Sequence, residues 1–149
     1  FPGRFEKLEN HKLNKLISDQ NELYLDGSHN QDGSKNINEA LKELPNKELC
    51  LVVGMINSKD PLGYISEYEN IEMVTTVTIP DEDNSFSADE LKNIFSKKFK
   101  NIEQSISTEE AVKLSADKFP SSRILICGSL YLAGSVLNMS NQPSGQSSQ

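Results

Sequence analysis

From Leu23 onwards the chain alternates short apolar runs with amphipathic stretches of helical period. Leu23-Tyr24-Leu25 reads as a strand ending at Asp26, and Ile37, Ala40, Leu41 and Leu44 predict a helix over roughly Asp32 to Leu44, stopped by Pro45. Leu49 to Val53 is apolar throughout, as a strand covered on both faces of a parallel sheet must be. Pro61, suited to a first turn, opens a helix expected to reach Glu69, and Met73 to Ile79 is a Val/Thr/Ile-rich strand. Ser87 and Glu90 form a capping box for a helix carrying Leu91, Ile94, Phe95 and Phe99 on one face. A weak strand over Ile102 to Ile106, a helix from Thr108 to about Phe119, a strand Arg123 to Cys127 and an apolar helix from Leu130 to about Met139 complete the series.

Strand, helix, strand, helix is the grammar of an α/β fold: a doubly wound, mostly parallel sheet flanked by helices. Residues 1–22 fit this pattern less well and are expected to form a lead-in segment, with Arg4 to Ile17 either a strand and hairpin or a linker. The α/β domain itself is expected over 23–140. From Asn141 to Gln149 only Asn, Gln, Pro, Ser and Gly occur, a composition that cannot bury enough surface to order itself. The opening Phe1-Pro2-Gly3-Arg4 has neither Met nor an apolar leader and reads as a cut through a longer chain, favoured over a processed product.

Composition narrows the partners. A net charge of −7 and the lack of a Lys/Arg stripe argue against nucleic acid. No run of about 18 apolar residues offers a membrane span. Cys50 and Cys127 each sit in an apolar run, so buried free thiols are expected rather than a disulfide. No metal site is expected, because there is no CxxC and His11 and His29 stand far apart.

Ligands of an open α/β sheet gather at the carboxyl ends of its strands. Two stretches there carry chemistry: Asp26-Gly27-Ser28-His29-Asn30 and Gly54 to Asp60, the latter ending in Lys59-Asp60. A carboxylate at a strand end suits ribose hydroxyls, and a following helix N-terminus favours an anion. Asp, Ser and Asn are equally ordinary helix caps and turn formers, His29 alone fits a turn histidine, and Lys59-Asp60 fits a solvated pair. Neither GxxxxGK[ST], GxGxxG nor GxSxG occurs, so the chain has no phosphate cradle or nucleophile elbow of its own.

Four stretches in order resemble one family. Pro2-Gly3-Arg4-Phe5-Glu6, Leu25 to Asn30, Gly54-Met55 through Lys59-Asp60, and Ile126-Cys127-Gly128-Ser129-Leu130-Tyr131-Leu132 are similar to stretches of the C-terminal domain of folylpolyglutamate and dihydrofolate synthases, members of the Mur ligase superfamily. The resemblance implies a Rossmann-like domain of the Mur ligase C-terminal type. It also implies that this domain closes over a central ATPase domain, absent from this chain, which carries the P-loop and the Mg2+ ligands. ATP would phosphorylate a folate or dihydropteroate carboxylate, and L-glutamate would attack the acyl phosphate. Carried over, Arg4 would reach the ATP phosphates, Asp26 would hold the ribose, and His29 with Ser28 and Asn30 would line the phosphate and glutamate side. Arg4 and His29 are thus the catalytic candidates, with no proton transfer assigned to His29. Lys59 and Asp60 would shape the second loop or an interdomain contact. A cytoplasmic monomer, inactive alone, is implied.

Departures accompany the likeness. Ser28 replaces the usual Ala and Gln31 the common Pro, while Asn84-Ser85-Phe86 stands where an Arg is frequent, which removes an anion contact there. The long separation of Arg4 and Asp26 implies an extended hairpin around Asn10 to Asn21. A peptidoglycan Mur ligase domain and a stand-alone nucleotide or small-molecule binding module are the alternatives. A receiver domain fits poorly, because the second and third strands end in Gly54 and Pro80 instead of a phosphoacceptor Asp.

Overall fold

The computed structural model describes residues 3–139; Phe1, Pro2 and the tail expected over 141–149 lie outside the described residues. Six strands form one sheet: β1 (Glu6–Lys7), β2 (Glu22–Leu25), β3 (Leu49–Val53), β4 (Ile71–Thr76), β5 (Ile102–Gln104) and β6 (Arg123–Cys127), in the order β1-β2-β6-β3-β4-β5. Only β1 runs antiparallel to its neighbour. The helices are α1 (Gln31–Lys42), α2 (Pro61–Ile65), α3 (Ala88–Phe95), α4 (Thr108–Lys118) and α5 (Leu130–Leu137).

Period-two alternation sorts each central strand into two cores. Leu51 and Val53 of β3 and Leu125 and Cys127 of β6 pack with Leu41, Tyr64, Leu91 and Phe95, which come from α1 to α3 and so cover one face. Cys50, Val52, Ile124 and Ile126 point the other way, onto Val112 and Ala116 of α4 and Leu132 and Val136 of α5. Right-handed crossovers explain the sorting. From β2 through β5 the chain steps in one direction across the sheet, then returns through α4 to insert β6 beside β2. Cys50 and Cys127 therefore lie in different cores as free, buried thiols.

Several expected boundaries move for local reasons. Asn30 caps α1 by accepting from the Gly33 amide, so the helix starts at Gln31. The helix expected to reach Glu69 stops at Ile65, with Tyr68 N bonded to Ile65 O in a turn that leads to left-handed Asn70. β5 ends at Gln104, and Ile106 is 90% exposed instead of extending the strand. The expected entry strand is β1, antiparallel to β2, but the connection around Asn10 to Asn21 carries a 3-10 helix, Lys12–Leu16, where an extended hairpin was expected. His11 caps it, accepting from Leu13 N at Nδ1 while Nε2 donates to Val136 O at 2.9 Å. Leu13 is fully buried with Leu8 and α4's Val112, so the lead-in segment belongs to the core. No helix among the described residues is long and apolar enough to cross a membrane.

Candidate functional site

β2 and β6 pair in parallel up to Leu25 and Ile126, and the next residue, Asp26, donates its N–H to Ile126 O at 2.9 Å. Beyond that bond the two chains part: β2 leads to α1 on one face and β6 to α5 on the other. Such a divergence opens a crevice at the carboxyl ends of the strands. A cleft of about 550 Å³ occupies it, lined by Arg4, Phe5, Asp26 to Asn30, Gly33, Asn36, Ile37 and Leu130. Five of the seven residues singled out in the sequence (Arg4, Asp26, Ser28, His29 and Asn30) thus meet in one place.

Asp26 is only 2% exposed, and both carboxylate oxygens are engaged. Oδ1 accepts from Phe5 N at 2.9 Å and Oδ2 from Ser28 N at 2.8 Å, while Gly27 N donates to Gly3 O at 2.7 Å. A buried carboxylate requires such partners, and here they fasten the lead-in segment to the strand end. They also hold Phe5 at a φ of 27°, a conformation costly for a residue with a Cβ. Stacking of Phe5 on Tyr24, centroids 5.0 Å apart, supports the same geometry. The neighbouring Arg4 guanidinium is exposed, so its anchorage lies in the backbone around it.

The close approach of loop to loop depends on missing side chains. A Cβ on Gly27 would stand 2.6 Å from Leu130 Cδ2, and one on Gly128, at φ 108°, would stand 2.5 Å from Gly54 O. His29 is half-buried with Nδ1 3.4 Å from Gly27 O, and Asn30 is committed to the α1 cap.

Lys59 and Asp60 lie outside the main cleft. They line an adjoining gap of about 250 Å³ with His29, Asn30, Gln31, Ser58, Gly63 and Tyr64. Asp60 caps α2, accepting from Gly63 N at 3.1 Å, and the Lys59 side chain is exposed. Asn84 and Phe86 brace this second loop through Asn57 N to Asn84 O and Phe86 N to Met55 O, both 2.8 Å. Among the described residues no group of three His, Cys, Asp or Glu side chains is arranged to hold a metal ion.

Sequence reasoning missed Phe5, Ile37 and Leu130 as cleft walls, and Tyr64 and Tyr68 beneath it. Ile37 read as one of the apolar positions of a helix and Leu130 as the start of another, and only the β2–β6 divergence brings them with Phe5 to a ligand-sized space.

Residues 9–139 match the family described as dihydrofolate synthetase, C-terminal domain. Folylpolyglutamate synthase of Lacticaseibacillus casei is 28% identical over 137 residues, covering 91% of this chain and 29% of that protein. Among solved structures, Mycobacterium tuberculosis folylpolyglutamate synthase complexed with ADP and AMPPCP superposes with a TM-score of 0.75 at 19% identity, covering 95% of this chain and 33% of that one. Thermotoga maritima folylpolyglutamate synthase superposes at 0.71 with 27% identity, covering 92% and 30%. The chain therefore spans about a third or less of each relative's length. Because the family match runs continuously through both strand-end loops and the last strand and turn, with no reliance on a single motif, this chain belongs to the dihydrofolate synthetase C-terminal domain family.

Proposed function

We propose that this chain is the nucleotide-closing C-terminal part of an ATP-dependent ligase that joins L-glutamate to a folate or dihydropteroate through an acyl phosphate. The observation that carries this reading is the meeting of Arg4, Asp26, His29 and Asn30 in one cleft at the sheet's switch point, in a chain of this family. A guanidinium suits transferring phosphate because its planar fork matches two oxygens and its charge does not titrate away. In this reading Arg4 reaches the ATP phosphates. Asp26 addresses the ribose with the lone pairs its two backbone bonds leave over. His29, beside Ser28 and Asn30, faces the phosphate and glutamate side, and the Lys59–Asp60 loop borders a preceding ATPase domain.

That domain of the same polypeptide would supply the P-loop and the Mg2+ ligands, consistent with relatives about three times as long. Closure over the cleft would keep water from a hydrolysable acyl phosphate. The match to the dihydrofolate synthetase family favours the folate branch over the peptidoglycan branch. A cytoplasmic, monomeric enzyme completes the reading.

The test uses the full-length natural protein, with glutamate-dependent ADP release followed on dihydropteroate and on folate. Arg4→Ala should lower kcat about 100-fold, the scale for losing one donor to transition-state charge. Turnover within about two-fold of wild type would remove Arg4 from the phosphate site. Absence of glutamate ligation in the unaltered protein would end the ligase reading.

A further inference from the structure

A second polar layer lies under the cleft floor, within the core between the sheet and α2. Tyr64 of α2 is fully buried and Tyr68, in the turn after α2, nearly so. A buried phenol needs a partner for its O–H, and these two use each other, with their oxygens 2.7 Å apart. The Tyr64 oxygen also lies 3.3 Å from Ser28 Oγ. Burial raises both phenols well above their ordinary range and pushes the adjacent Cys127 thiol up to about 12. The cluster therefore stays protonated and neutral at any working pH, and each member keeps a hydrogen to donate.

Position in the chain gives the cluster its reach. Ser28 immediately precedes His29, and α2 begins immediately after Lys59 and Asp60. Gly33 of α1 crowds Ser28 from the other side, since a Cβ there would stand 2.6 Å from Ser28 Cβ. The Tyr64–Ser28 contact is thus a side-chain tie between the first strand-end loop and the helix that carries the second.

We infer that Tyr64, backed by Tyr68, is a positioning residue for the ligand cleft: by holding Ser28 Oγ, its buried hydroxyl fixes the first loop against α2 and sets where His29 stands relative to Lys59. The inference deepens the proposed function, because it takes the carboxyl-end cleft as the ligand site. Its reach is specific to one oxygen atom, since Tyr64→Phe keeps the ring and its packing.

The chain has only two histidines, and His11, which does not line the cleft, is held by Val136 O and Leu13 N. His11 is therefore an internal reference for proton NMR of the imidazoles in this 149-residue chain. Tyr64→Phe and Ser28→Ala should each move the His29 resonances and leave those of His11 in place. In urea unfolding, Ser28→Ala should lose about five-fold for one hydrogen bond and Tyr64→Phe more, because it also strips the buried Tyr68 hydroxyl of its partner. The double variant should lose less than the product of the two single losses. Unmoved His29 resonances, or losses that multiply, would overturn the tie without touching the ligase reading. In the full-length enzyme, Tyr64→Phe should lower kcat/KM about ten-fold, because small misplacements at a reacting centre are amplified in rate. Wild-type turnover alongside a moved His29 would overturn the positioning role while leaving the tie intact.

Discussion

Replacing Asp26 by Asn isolates what holds the lead-in segment to the sheet. The substitution preserves volume, yet leaves one carbonyl oxygen where there were two carboxylate oxygens. Either Phe5 N–H or Ser28 N–H must then face an amide NH2, in a site where Asp26 is only 2% exposed. A hydrogen bond to a charged acceptor is worth about 1.5–3 kcal/mol, and a buried donor left without a partner costs about 1–3 kcal/mol. The two figures describe overlapping losses, so about 3 kcal/mol is the expected total. That is a large share of the roughly 5–15 kcal/mol typical of a domain. The chain has no Trp, so urea unfolding is best followed by far-UV circular dichroism. Amide exchange at Phe5 and Gly27 gives the local readout, because both amides belong to the same fastening. A loss below about 1 kcal/mol with unchanged exchange at those amides would refute the fastening role. Asp26 would then be buried for its ligand alone.

Three further outcomes follow from close packing and burial. Gly128→Ala puts a Cβ at φ 108° and 2.5 Å from the Gly54 carbonyl, so strain and clash together should cost about 3 kcal/mol, seen as a melting temperature lower by roughly 10 °C; an unchanged melt would show that the two turns can part freely. Burial lifts the thiols of Cys50 to about 11 and Cys127 to about 12 from an ordinary 9.0, so in native chain at pH 8 neither should react with a disulfide reagent, whereas both should in urea. Because the unfolded thiols ionise first, this contribution to stability is complete below about pH 9 and is lost as pH rises towards 11 and 12; a urea midpoint that is flat across that window would contradict it.

Much of this protein was legible in its residue order, because the determining interactions are local or periodic. Ser87 and Glu90 form the capping box their spacing implies, Arg123 to Cys127 is a strand, and the unbroken apolar run Leu49 to Val53 lies between two helical layers. The loop Asp26 to Asn30 was recognisable as a candidate site because short polar residues with a Gly follow a strand, and it does line the cleft. Where helices end was less legible: Pro61 opens α2, but nothing short-range announces the stop at Ile65. The lead-in segment misled for a related reason. Leu13 stands among polar neighbours, and only the tertiary packing that includes α4 gives it a surface to bury against.

Tertiary structure alone decided which of the candidate residues lie together. Sequence placed Arg4 and Asp26 twenty-two positions apart; the β1–β2 pairing brings them into one cleft, and the bonds to Asp26 are formed by backbone amides that no side-chain pattern encodes. Likewise, Lys59 and His29 meet across a gap because β3 lies one strand away from β2, with the returning β6 between them. Ser28 passed for a cleft residue by type, and its hydroxyl proved to face a buried tyrosine. Local chemistry determined the elements and their caps, since these depend on neighbours within one turn. Long-range strand order determined the site, since a cleft is made by residues that only the sheet brings together.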